Sequence, residues 1–121
     1  MSYVDGFVLA VPEANLDAYK KDARKAGKIW IEHGALQYFE SVADDVPEGK
    51  TTDTYRAVKR KEGETVVFAF AVYKSRKHRD DVMEKVMSDP RLKMDPASMP
   101  FDGKRMFWGG FRTMIELQAK A

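Results

Sequence analysis

The sequence of 121 residues contains no cysteine and has no long hydrophobic run. Without cysteine, the protein has no disulfide framework, no cysteine-ligated metal or iron–sulfur centre and no thiol nucleophile. The longest apolar run, from Val66 to Tyr73, is much shorter than the roughly 20 residues of a transmembrane helix. The beginning, Met-Ser-Tyr-Val-Asp-Gly-Phe, has neither the basic segment nor the apolar core of a signal peptide. We therefore expect a cytoplasmic protein with no membrane partner.

The sequence also lacks an excess of either charge. Lys and Arg number 21 against 19 Asp and Glu, and a net charge of +2 does not by itself indicate nucleic-acid binding. Two basic clusters could contact phosphates, but acidic residues interrupt them and no glycine-rich loop leads into a helix. The clusters are Lys20, Lys21, Arg24, Lys25 and Lys28, and Arg56, Lys59, Arg60 and Lys61. We favour solvated surfaces and expect no nucleic-acid partner.

Metal ligands are equally sparse. One loop carries the carboxylates that a calcium ion prefers, at Asp44, Asp45, Glu48 and Asp53. Their spacing matches no EF-hand, and Lys50 lies among them. The two histidines, His33 and His78, are far apart in the sequence. We predict no metal site and no cofactor.

Hydrophobic periodicity predicts alternating strands and helices in one domain over residues 1–121. A first helix begins after Asn15 as its N-cap and ends before Gly34. A second begins after Ser75 and ends near Met87, before Pro90. The predicted strands cover 3–11, 35–42, 54–59, 64–73 and 105–117, with 54–59 and 64–73 as a hairpin. In the last strand, the pair Gly109-Gly110 indicates a bulge or a close backbone approach.

This order is that of an α+β, ferredoxin-like βαββαβ fold with one extra strand segment. Its two helices would cover one face of an antiparallel sheet. The strand at 64–73 is nevertheless apolar on both sides, with Val66, Phe68, Phe70 and Val72 opposite Val67, Ala69, Ala71 and Tyr73. Because monomers rarely expose a large apolar patch, we predict a homodimer that packs sheet against sheet. The alternative is that the connection 91–104 folds over the second face.

Several segments resemble the YbaA-like family, a bacterial family of unknown function in the dimeric α/β-barrel superfamily. They are Tyr-Val-Asp-Gly-Phe-Val at 3–8, His-Gly-Ala at 33–35, Asp-Asp-Val-Pro-Glu-Gly-Lys at 44–50, Glu-Thr-Val-Val-Phe at 64–68, Ser-Asp-Pro-Arg at 88–91, Met-Pro-Phe-Asp-Gly-Lys-Arg-Met at 99–106 and Gly-Gly-Phe at 109–111. The resemblance implies a ferredoxin-like fold paired into a dimeric α/β barrel. It implies no established activity and no catalytic residues, although the superfamily includes cofactor-free monooxygenases, haem-handling proteins and isomerases.

Six residues are candidates for binding a small molecule in a cleft between helices and sheet. They are Trp30 and His33 on the first helix, Tyr38 and Glu40 on one side of the second strand, and Trp108 and Arg112 on the last strand. Arg105 is predicted on that last strand too, facing the other way. Aromatic walls with a few polar groups suit a small, flat ligand, neutral or anionic. The alternative is ordinary core with paired surface charges.

Of the two histidines, His33 is a weak candidate for a general base, because it lies at a helix C-terminus on the apolar stripe. We favour the alternative that it caps free carbonyl groups there. His78 is expected to be exposed. Two functions follow from these patterns: a small-molecule-binding dimer and a non-catalytic interaction or assembly protein. The family resemblance adds a third, a cofactor-independent monooxygenase- or isomerase-like enzyme.

Overall fold

A computed structural model describes residues 2–93 and 95–120, and within them the chain forms one four-stranded antiparallel sheet and three α-helices. The strands are β1 (Tyr3–Pro12), β2 (Gln37–Val42), β3 (Glu64–Tyr73) and β4 (Phe107–Arg112). The helices are α1 (Leu16–Glu32), α2 (Thr54–Ala57) and α3 (Arg76–Met87). The strand order β2-β3-β1-β4 places β2 and β4 at opposite edges of the sheet. The predicted α+β class and βαββαβ order are confirmed, with the short α2 added.

The ends of the two long helices follow their sequence signals. Ser75 Oγ accepts the His78 N–H at 3.1 Å and caps the start of α3. Gly34 follows α1 with a φ of +115°, the left-handed conformation that commonly ends a helix. Asn15 occupies the N-cap position of α1, but its side chain does not cap the helix. Instead its Nδ2 donates to the Pro100 carbonyl at 3.1 Å and ties a distant loop to the helix.

The prediction of a strand at 54–59, paired as a hairpin with 64–73, is wrong. The segment forms α2 instead, because Asp53 Oδ1 accepts the Arg56 N–H at 2.8 Å and caps a helical turn. Both edges of β3 are already occupied, by β1 on one side and β2 on the other. The sheet therefore has no extra strand segment within the described residues.

The last strand is shorter than the predicted 105–117. β1 begins at Tyr3, which pairs with Arg112, so beyond Arg112 the ladder continues only through the bond from Thr113 N–H to the Ser2 carbonyl. The register runs evenly through Gly109 and Gly110, which excludes a bulge there. The glycines instead permit a close approach: a Cβ on Gly110 would overlap the side chains of Tyr3 and Arg79.

The two faces of the sheet are covered by different helices. α1 and α3 pack on one face, over two groups of buried residues. These are Tyr3, Ala35, Ala71, Tyr73, Val82 and Val86, and Leu9, Val11, Tyr19, Ala23 and Val67. On the other face, α2 covers one end only, where Val58 packs on Ala10 and Val66. The prediction that two helices share one face is confirmed for α1 and α3.

The rest of that second face, here called the open face, is largely apolar, and its side chains are half-buried or exposed. Its residues are Val4, Val8, Phe39, Phe68, Phe70, Val72, Phe107 and Phe111. Phe68 is 53% exposed and Phe111 is 65% exposed. In its described residues, 91–93 and 95–104, the connection packs on the helix side, where Leu92 and Phe101 join the buried clusters. In the described part of the chain, no helix has the length and apolarity to span a bilayer.

Candidate functional site

A cleft of about 850 Å³ opens between α1 and the edge strand β2. Strand alternation places Tyr38, Glu40 and Val42 of β2 on the helix side of the sheet, where they face α1. The cleft is also lined by Leu16, Asp17, Tyr19, Lys20, Ala23, Arg24, Gly27, Lys28, Ile31, Glu32, Ser41 and Val67. This α1–β2 cleft is the candidate site.

Glu40 is held in the cleft by two phenol hydroxyls. Tyr19 Oη donates to Glu40 Oε1 and Tyr38 Oη donates to Glu40 Oε2, both at 2.7 Å. Tyr19 comes from α1, whereas Tyr38 is two positions before Glu40 on the same face of β2. The carboxylate is therefore fixed in position by both walls of the cleft at once. Hydrogen bonds to an ionised carboxylate are among the stronger ones in proteins.

Gly27 allows β2 to approach α1 closely enough to build this arrangement. A Cβ at Gly27 would lie 2.7 Å from Tyr38 Cδ1, so the Tyr38 ring lies directly on the helix backbone. The Trp30 ring packs on the other side of Tyr38, with 5.8 Å between ring centroids. The glycine inside α1, which costs helix propensity, is thus explained by packing.

The electrostatics of the cleft keep both phenols protonated. Burial is the main cause that raises the pKa of the Tyr19 hydroxyl, and the charge of Glu40 raises it further. The pKa of the Tyr38 hydroxyl is raised by the same two causes in the same order. Both groups therefore stay hydrogen-bond donors at neutral pH, and the negative charge of the site belongs to Glu40.

The outer lip of the cleft is basic. Lys20, Arg24 and Lys28 follow one another at steps of four residues along α1, and all three are exposed. Asp17 and Glu32 line the cleft as well, towards the two ends of the helix. The predicted solvated face of α1 is therefore confirmed as exposed, and part of it borders the cleft.

Chemically, the cleft can accept a hydrogen bond or a proton at Glu40 and attract an anion at its lip. An ionised carboxylate has about four acceptor positions, and the two tyrosines occupy two of them. A ligand can therefore still donate to Glu40.

The structure unites some of the six predicted binding residues and separates others. Tyr38 and Glu40 lie in the cleft. Trp30 packs against Tyr38 but turns its Nε1–H to Tyr73 Oη, at 3.0 Å. His33 lies at the C-cap of α1, where its Nε2 is 2.8 Å from Asp89 Oδ2. Its ring therefore pairs with a carboxylate and does not cap carbonyl groups, which corrects that expectation.

Trp108 and Arg112 lie on β4, at the opposite edge of the sheet from Tyr38 and Glu40. Two strands separate the edges, a distance of about 14 Å, so these residues do not share one cleft. Trp108 is 64% exposed. Arg105 lies outside β4 and forms two bonds of 2.7 Å with the Glu64 carboxylate. The role of Trp108 and Arg112 in ligand binding stays a prediction.

Two further carboxylates with charged partners, Asp89 and Asp5, were not foreseen from the sequence. Asp89 is held by Arg91 and His33, which lower the pKa of its carboxyl far below the usual range. Asp5 is buried beneath Arg79. The contact between Tyr19 and Glu40 was not predicted either, because the hydroxyl partner lies on β2, 21 positions further along the chain. His78, which was expected to be exposed, is partly buried: its ring centroid lies 5.9 Å from that of Tyr73, and its Nδ1 accepts the Lys74 N–H at 2.9 Å.

A second, polar cavity of about 430 Å³ lies beside α2. Both of its arginines already have partners: the Arg60 guanidinium lies 4.7 Å from the Tyr55 ring centroid, and Arg56 is paired with Asp53. No group of three or more His, Asp or Glu within residues 2–93 and 95–120 is arranged to hold a metal ion.

These features define an α+β protein with a four-stranded antiparallel sheet and a cleft at one sheet edge. The chain belongs to the family described as "Protein of unknown function (DUF1428)", whose model matches residues 2–103. It is 53% identical over 116 residues to the uncharacterized protein YbaA of Escherichia coli K12, covering 96% of this chain and 99% of that protein. The same values hold for YbaA of Shigella flexneri. The YbaA-like resemblance is thus confirmed.

Among solved structures, the de novo designed protein Foldit4 covers 96% of this chain and 100% of its own, at 8% identity and a TM-score of 0.45. A structural match at this TM-score does not indicate the function of the present protein. The residues of the cleft are therefore the evidence for its function.

Proposed function

We propose that this protein binds a small molecule in the α1–β2 cleft and acts as a homodimer in the cytoplasm. One observation carries the binding proposal: the Glu40 carboxylate, held by Tyr19 and Tyr38, faces a cleft of about 850 Å³. Ligand sites are usually mostly apolar concavities with a few fixed polar groups, in the size range of roughly 300–1,000 Å³. The cleft has both properties.

The binding proposal is tested by thermal unfolding with a library of small carboxylates, phenols and amines. A ligand that binds the folded state raises the melting temperature in proportion to the logarithm of its concentration. We expect hits whose effect is lost in Glu40→Gln. The matched control is Glu13→Gln, which neutralises an exposed carboxylate outside the cleft. The proposal fails if no compound shifts the wild-type protein, or if the hits act equally on Glu40→Gln.

The homodimer is proposed because of the open face. Phe39, Phe68 and Phe70 form a connected aromatic surface, with ring centroids of neighbours 4.7 and 5.8 Å apart. Phe107 and Phe111 extend it across β4. After that strand, Met114, Ile115 and Leu117 are also exposed apolar side chains. A second copy offers an apolar surface of identical extent, and a two-fold axis brings the two faces together.

Sedimentation velocity of the wild-type protein and of Phe68→Glu tests the dimer. We expect a dimer at micromolar concentration for the wild type and a monomer for Phe68→Glu, since a buried unpaired carboxylate opposes association. Met87→Glu, an equally drastic change at an exposed position on α3, should remain dimeric. A monomeric wild type, or a Phe68→Glu variant that stays dimeric, contradicts the proposal.

A further inference from the structure

We infer that the α1–β2 cleft selects an aryl carboxylate that carries a hydrogen-bond donor at the end opposite its acid group. This inference rests on the proposed function, because it specifies the ligand of the same cleft. Three features of the cleft support it: an acceptor at the floor, flat apolar walls and a cationic lip.

The floor of the cleft requires a hydrogen-bond donor on the ligand. Glu40 is the acceptor there, and the hydroxyls of Tyr19 and Tyr38 already donate to it. Each carboxylate oxygen keeps a further acceptor position. A second carboxylate at this depth would meet Glu40 at close range and be repelled. The deep end of the ligand must therefore carry an O–H or N–H group and not the acid.

The walls require a flat apolar body. Leu16 and Ala23 border the cleft on α1, and Val42 and Val67 border it from the sheet. The space over Gly27 is filled by the Tyr38 ring, so the cleft wall is aromatic there. A planar ring can pack on that aromatic surface with less loss of conformational entropy than a flexible chain.

The lip attracts the acid group. Lys20, Arg24 and Lys28 span about 12 Å along α1, at 1.5 Å per residue. In the part of the chain that the structure describes, none of the three forms an ion pair with a carboxylate. The lip carries three positive charges against the two negative charges of Asp17 and Glu32, which lie toward opposite ends of α1. With Glu40 at the floor, the lining is neutral overall, and its charge is separated between floor and lip. A carboxylate at the mouth therefore meets complementary charge, and Arg24 can bind it through two parallel hydrogen bonds.

An extended peptide added to the free edge of β2 is the competing occupant. β2 is short and carries the inward-facing charge of Glu40, and both properties protect an edge strand from pairing with another chain. The small aryl acid is therefore favoured over the peptide.

Three probes of matched size test the inference: 4-hydroxyphenylacetate, phenylacetate without the donor, and 4-hydroxyphenylethanol without the acid. Affinities are measured by calorimetry and by NMR titration, which also maps the perturbed residues. We expect 4-hydroxyphenylacetate to bind most tightly and phenylacetate about tenfold more weakly, since it lacks one hydrogen bond to a charged group. The alcohol should also bind more weakly, and only the two acids should lose affinity as salt is raised.

Two variants separate the ends of the ligand. Glu40→Gln should abolish the preference for the hydroxylated acid over phenylacetate. Arg24→Gln should abolish the preference for the acid over the alcohol, while Lys25→Gln, the same charge change outside the cleft, should leave it intact. Equal binding of the three probes, or preferences that persist in Glu40→Gln and Arg24→Gln, would overturn the inferred ligand class.

The outcomes distinguish this inference from the proposed function. If none of the three probes binds but another library compound binds in a Glu40-dependent way, the ligand class is wrong and the binding function stands. If an extended peptide is captured with shifts confined to β2, the inference is also wrong. If no compound of any class binds, both fail together.

Discussion

Arg79 Nη1 donates to Asp5 Oδ1 at 2.6 Å, joining α3 to the first part of β1 across 74 positions of sequence. Asp5 is 2% exposed, and the Arg79 guanidinium also lies over the Tyr3 ring, 5.0 Å from its centroid. A buried acidic residue on the helix side of the sheet is thus paired with one residue of the helix that covers it.

Substitution of Arg79 alone should lower the free energy of unfolding more than substitution of both Asp5 and Arg79. Arg79→Met leaves Asp5 buried without its partner and should lower the free energy of unfolding by about 3–5 kcal/mol. The double variant Asp5→Asn with Arg79→Met should recover part of that loss. Urea unfolding of the single and double variants measures the coupling, with the exposed Arg76→Met as control. Additive effects of the two substitutions would show that the pair is not coupled.

Gly27→Ala should destabilise the protein, although alanine is the better helix former. At a free helix position the change would stabilise by about 1 kcal/mol, whereas here the new Cβ lies 2.7 Å from Tyr38 Cδ1. We expect a net loss of about 1–3 kcal/mol, as is typical of overpacking. Thermal unfolding measures it, with Ala18→Gly at an exposed position of α1 as the control for propensity alone. A stabilised Gly27→Ala would contradict the close packing.

Glu64 should make the protein sensitive to acid. The hydrogen bonds from Arg105 are the main cause that lowers the pKa of the Glu64 carboxyl to about 2. Its pKa in the unfolded chain is about 4.3, so its contribution is complete above that value. The contribution is lost as the pH falls from about 4.3 to about 2.

Glu64→Gln tests this pH dependence. At neutral pH the variant should lose about 2 kcal/mol of stability, because its bonds to Arg105 are no longer charge-assisted on both sides. Its stability should fall less steeply than that of the wild type below pH 4.5. Urea unfolding over a pH series measures both effects. Glu62→Gln, at an exposed neighbouring position, should keep the wild-type slope, and an unchanged slope in Glu64→Gln would refute the assignment.

Ser75→Ala should destabilise α3 by about 1 kcal/mol through loss of its N-cap. The hydroxyl accepts the His78 N–H, and the alanine variant leaves that donor without its partner. Ser75→Asp should retain most of the stability, since a carboxylate accepts the same bond and suits the helix N-terminus. Thermal unfolding of the two variants decides the point. Equal losses in both would mean that the hydrogen bond contributes nothing.

The helices α1 and α3 and the long strands β1 and β3 could be predicted because their signals are local. Ser75 and Gly34 mark helix ends within a few residues of sequence. Successive side chains of β3 point to opposite faces of the sheet, so Phe68 and Ala69 lie on different faces. The short segment 54–59 was ambiguous, because six residues fit a strand or a helical turn equally well. The helix forms because Asp53 caps it and because both edges of β3 are already paired, which leaves no partner for another strand there.

The candidate site was predictable only in part. Tyr38 and Glu40 are two positions apart on one strand, so their common side follows from the period of a strand. Trp108 and Arg112 were placed with them although strand order sets them at the far edge. Strand order depends on which strands pair over long sequence distances, and hydrophobic alternation along one strand contains no information about it.

The amino-acid sequence by itself determined the type of most elements and which side chains share a face, because these follow from backbone geometry repeated every two or 3.6 residues. It also determined that β3 is apolar on both sides. Only the tertiary structure decided that Tyr19 meets Glu40, that Arg79 covers Asp5 and that the Tyr38 ring lies on Gly27. Such contacts join residues far apart in the chain, and they exist only once α1 and α3 have packed on the sheet.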